Sequence, residues 1–187
     1  MNNTQREIAK IAWHEGAHIL LLLATGGSAR RATLRLIHGA VIGRVWPAPR
    51  PGASVAESVA AIAAGDVATI RYTGAGLRVG PLNRYRRVLS PQVSQQVKLD
   101  IALYKPQKTG AVSGSRFDGD DGRVDSLLQL IPATRRDAVL MDGMKLVDRT
   151  LRAYPNTLRQ ISQLLLDKST LTAADLERFR IRFKRRV

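Results

Sequence analysis

Two of the chain's three histidines fall within one pentapeptide, His14-Glu15-Gly16-Ala17-His18. The pattern is H-E-x-x-H. On a helix, a spacing of four puts both imidazoles on one face, where they can share a single zinc ion. Glu15 follows the first histidine directly, in place to take a proton from a metal-activated water. Catalytic zinc takes three protein ligands and keeps its fourth position for water or substrate. The continuation, His18-Ile19-Leu20-Leu21-Leu22, lacks the third histidine of the metzincin extension. A third ligand must therefore come from further along. His38 is one candidate, although a histidine beside Gly39 in a turn reads more simply as structural. The carboxylates of Asp118-Gly119-Asp120-Asp121 are the others. These also read as an N-cap cluster complementing the dipole of a following helix, and capping and ligation by different aspartates are compatible.

The elements that must carry these residues are mostly helical. Thr4-Gln5-Arg6-Glu7 fits a capping box. Apolar residues then recur at helical spacing up to Gly26-Gly27, which predicts a helix over 5–25. Residues 33–37 and 40–46 read as short extended runs around His38-Gly39. Pro47, Pro49, Pro51 and Gly52 make a loop, and the Ala-rich stretch 55–72 a helix. A basic connection follows, and Pro91 can open a helix towards 104. Residues 105–122 read as a long loop, of a kind more often functional than idle. Helices are expected over 123–131, 134–154, 155–167 and 172–182. The fold class is mainly α, with a short β-hairpin after the histidine-bearing helix.

These residues resemble the FtsH-type ATP-dependent zinc peptidases. His14-Glu15-Gly16-Ala17-His18 is similar to that family's H-E-A-G-H with Gly and Ala exchanged. His38-Gly39-Ala40-Val41-Ile42-Gly43 resembles its R-G-x-A-L-G strand, with both glycines at the same spacing. Ile62, Gly65, Ala68 and Gly74 match its L-x-G-G-R-x-A-E-E-x-x-x-G helix, where Asp66 and Thr69 replace the usual Arg and Glu. Residues 158–179 are similar to the family's helical ending. The resemblance implies an FtsH-type helical peptidase domain holding Zn²⁺, with the Asp cluster corresponding to the family's small-N-D segment. In the family, apolar helix positions follow the aspartate ligand at +4, +7 and +8. From Asp120 these are Val124, Leu127 and Leu128; from Asp121 they are Asp125, Leu128 and Gln129. The resemblance thus implies ligands His14, His18 and Asp120, with Asp121 in reserve, Asp118 third, and Glu15 as general base.

The family carries an ATPase module, whose P-loop would read G-x-x-x-x-G-K-[ST]; residues 110–115 have neither that spacing nor the lysine. The expectation is a peptidase domain alone. It would cleave flexible polypeptide segments unaided by ATP or depend on a separate ATPase or delivery partner, as a monomer or homo-oligomer. It reads as one domain, with a metal-site part at 1–122 and a C-terminal helical part at 123–187.

The chain has 187 residues, no cysteine and a formal charge of +15. Disulfides, thiolate metal sites and cysteine nucleophiles are excluded. The longest apolar run, 19–24, is far below the roughly 20 residues of a membrane helix. With no signal-peptide pattern, the expected location is cytoplasmic. Thirty Lys+Arg against fifteen Asp+Glu suit nucleic acid or an acidic partner. The densest run is terminal, with Arg180, Arg182, Lys184, Arg185 and Arg186 beside Phe179 and Phe183. Those phenylalanines either stack on bases or pack inward. Arg84, Arg86 and Arg87 around Tyr85 form a smaller patch. A degenerate peptidase fold acting as a basic binding module is the alternative to catalysis.

Overall fold

The structure, a computed structural model, describes residues 3–38, 40–73 and 120–184. The helix expected over 91–104, nearly all of the loop expected over 105–122, the Arg84–Arg87 patch, Asp118, Arg185 and Arg186 lie outside them. In chain order the elements are α1 (Asn3–Ala24), β1 (Ser28–Ile37), β2 (Ala40–Ala48), α2 (Val55–Thr73), α3 (Asp120–Gln129), α4 (Ala133–Ala153), α5 (Pro155–Lys168), β3 (Thr170–Thr172) and α6 (Ala173–Lys184). The protein is mainly helical with a small antiparallel sheet, as the pattern predicts. The chain groups into two compact units, one of Met1–Ala53 with Thr150–Val187 and one of Ser54–Arg149.

In the first unit α1 is the central element, packed on α5, α6 and both strands of the hairpin. All five residues from Ile19 to Leu23 are buried, so this end of α1 is enclosed all round. Gly26 ends the helix in the left-handed region (φ 80°). Gly27 N–H donates to Leu22 C=O at 2.8 Å and Gly26 N–H to Leu23 C=O at 3.1 Å, a Schellman closure. The chain then turns into β1, which pairs with β2 on one side and β3 on the other. Both hairpin strands are longer than the apolar runs predict. A register shift between Ala29 and Arg31 lets β1 start at Ser28. The three-residue β3 has too little pattern to be read from sequence.

At Gly16, α1 and α5 approach closely. A Cβ there would collide with Ser162 Oγ and lie 3.3 Å from Leu158 Cδ1. In the second unit, α2 packs on α3. A Cβ on Gly143 of α4 would come within 2.9 Å of Val59 on α2.

Two expected helix starts need correction. Helix α1 already includes Asn3, so Thr4 is no N-cap, and the Glu7 carboxylate instead accepts from Lys10 Nζ at 3.4 Å. The reciprocal box forms at α2: Ser54 N–H donates to Glu57 Oε2 at 2.7 Å, and Glu57 N–H to Ser54 Oγ at 3.2 Å. Helix α3 starts at Asp120, not 123, so Asp120 and Asp121 are first-turn residues and neither is the N-cap.

Candidate metal centre

The imidazoles of His14 and His18 stand one turn apart on α1. Their ring centroids lie 4.7 Å apart, with the rings edge to face at 83°. His14 is half-buried, while His18 and Glu15 are 8% and 6% exposed. Burial of a carboxylate between two imidazoles in sequence is costly unless the groups are engaged, and all three are.

Strand β2 makes the room for Glu15. A Cβ on Gly43 would sit 2.7 Å from the Glu15 carboxyl carbon, so the absent side chain is the space that Glu15 occupies. Gly43 pairs with buried Leu34 across the hairpin, which fixes that face of β2 towards the helix. The sequence marks Gly43 as an interior strand glycine, a sign of close approach. It does not say what approaches.

Asp120 opens α3, half-buried, with Arg123 Nη1 3.8 Å from its Oδ1. Further along α3, Val124 and Leu128 are buried and Leu127 half-buried. His14, His18 and Asp120 form a group that could hold a metal ion, one ligand atom of each lying within 4.8 Å of the others. Two imidazoles and a carboxylate are a donor set that suits zinc and leaves a position open. Asp121 follows in the same turn of α3. His38 is not in the group: it is exposed at the hairpin tip with φ 49°, a turn residue.

Asp66 and Thr69, singled out as departures, are buried on α2, and Thr69 Oγ1 donates to Gly65 C=O at 2.8 Å. At the basic terminus, Phe179 is 1% exposed and belongs to the core, with the Arg178 guanidinium 4.8 Å from its ring. Phe183 stands edge-on to Tyr154 at 4.7 Å, and Arg180 pairs with Glu177 at 3.7 Å. The two phenylalanines thus have partners within the fold. Nearby, Asp175 is held down to about 2 from an ordinary 3.8, first by its hydrogen bond from Lys168, then by the Thr172 N–H and hydroxyl.

Comparison of the sequence with protein-family models and with curated proteins finds no match. Among the described residues, no helix is long and apolar enough to cross a membrane.

Proposed function

We propose that the protein is a zinc-dependent endopeptidase related to the FtsH-type peptidase domain, holding Zn²⁺ through His14, His18 and Asp120. The observation that carries the reading is that group of three ligands with Glu15 buried beside the first, under the bare backbone of Gly43. A zinc ion bound there supplies Lewis acidity towards water and the scissile carbonyl. The chain's own residues do the rest. Glu15 accepts the proton of the attacking water at a carboxylate oxygen and returns it to the departing amine nitrogen. Among the described residues nothing pairs with the outer edge of β2, so its N–H and C=O groups can hold an extended polypeptide beside Glu15. Such a site acts on flexible segments without ATP.

The test is Glu15→Gln, which keeps the size and helix propensity but cannot take the proton. Hydrolysis of casein should fall at least about a hundredfold, with zinc content and circular dichroism unchanged. Undiminished hydrolysis removes Glu15 from the mechanism. The second reading is a catalytically degenerate basic module that binds nucleic acid or a protein partner. The charge of +15 favours it. It predicts that wild type and Glu15→Gln are equally inert on casein.

A further inference from the structure

We propose that the β1–β2 hairpin selects acidic segments, so that the extended peptides held on the edge of β2, unpaired among the described residues, are rich in Glu and Asp. The inference rests on the peptidase reading for its occupant and adds the substrate class. The stretch from Ser28 to Ala48 contains four arginines and no carboxylate. Gly43 faces Glu15, so the alternate residues Ile42, Arg44 and Trp46 share the opposite face of β2. Register places Arg35 opposite Ile42 and Arg31 opposite Trp46 on that same face.

The guanidiniums of Arg31 and Arg44 lie 5.6 and 4.8 Å from the Trp46 ring, which supports both from one platform. Arg31, Arg35 and Arg44 are exposed. No carboxylate among the described residues pairs with any of the three. Ile42, at 47% exposed, adds an apolar step between Arg44 and the hairpin tip.

A peptide paired along β2 presents every second side chain to this face, about 5 Å from its cross-strand neighbour. Carboxylates at alternate positions then meet Arg44 directly and Arg35 or Arg31 one strand further in. A single-stranded nucleic acid would use the same cations but has no use for a bare strand edge. The edge is what favours peptide.

The probes are three fluorescein-labelled extended peptides of one length, with Glu, Gln or Lys at alternate positions, and an oligothymidylate of matching length. Binding is followed by anisotropy on full-length Glu15→Gln protein, which leaves the peptides intact. The Glu peptide should bind about tenfold tighter than the Gln peptide, since one exposed ion pair contributes a few-fold at most and two or three act together. The preference should shrink in high salt. Arg44→Glu should reverse it in favour of the Lys peptide. Arg35→Glu, at a second exposed position, should weaken it, with circular dichroism verifying the fold of each variant.

Equal binding of the Glu and Gln peptides overturns the proposal. So does an unchanged preference in Arg44→Glu, or oligothymidylate binding tighter than the Glu peptide and lost in the same variants. Binding requires no turnover. A protein that prefers Glu peptides yet leaves casein intact contradicts the peptidase reading alone. One that cuts casein without preferring Glu peptides contradicts this inference alone.

Discussion

A methyl group at position 43 would run into Glu15. Gly43→Ala is therefore expected to push the carboxylate off its position while leaving the two histidines alone. Misplacing a reacting group by about 1 Å costs on the order of a hundredfold, so kcat/KM on a casein-derived peptide should drop by that order with zinc content intact. Unchanged hydrolysis would mean that the contact does not position Glu15. The aspartates separate by metal content. Asp120→Ala should release zinc, because two imidazoles are left to hold it alone. Asp121→Ala should keep zinc and cost about 0.3–1 kcal/mol, the loss of one first-turn carboxylate at a helix dipole. Parallel zinc titrations with urea denaturation decide it, and the reverse pattern moves the ligand to Asp121. The preference for Asp120 rests on the resembled family's spacing to Val124, Leu127 and Leu128, and the burial of these three is the same whichever aspartate ligates. The role of Gly43 was not legible, because a glycine's neighbour is a tertiary fact.

At the scale of elements, Gly16 opposes helix propensity. Alanine there gains about 1 kcal/mol of intrinsic preference, yet its methyl would meet Ser162 Oγ and Leu158. Gly16→Ala should destabilise by about 1–3 kcal/mol, the range for overpacking. The Ser162 hydroxyl is buried without a hydrogen-bond partner among the described residues. Gly16→Ala combined with Ser162→Ala should thus be less unstable than the sum of the single changes. Additivity within error in chemical denaturation would show that α1 and α5 separate freely.

The start of α6 carries a pH dependence. With its folded pKa at about 2, below 3.8, Asp175 favours folding in its ionised form. That contribution is whole above about pH 4 and is lost as pH falls through about 2. The stability gap between wild type and Asp175→Asn, followed by denaturation across this window, should close on acidification; a constant gap would assign the effect elsewhere. Helix existence was readable from periodicity, as in α1 and α2. Starts were not. Thr4-x-x-Glu7 and Ser54-x-x-Glu57 carry the same capping pattern, and only the second caps, because α1 continues past Thr4 to Asn3. The third strand was hidden because Leu34 N–H to Ser169 C=O and the Arg31–Thr33 ladder depend on where α5 ends.

For the molecule as a whole, composition established charge and excluded cysteine chemistry, but it did not distinguish a basic enzyme from a basic binding module. The terminal phenylalanines add nothing to the second, since Phe179 is buried and Phe183 meets Tyr154. The peptidase reading requires the metal. The most direct measurement is the zinc content of the purified full-length protein after reconstitution at neutral pH, for wild type and His18→Ala side by side. A catalytic site of this ligand set should carry about one zinc per chain, and His18→Ala should carry none while keeping its helical circular dichroism. A wild type that takes up no zinc, or a His18→Ala protein as zinc-replete as wild type, would contradict the account.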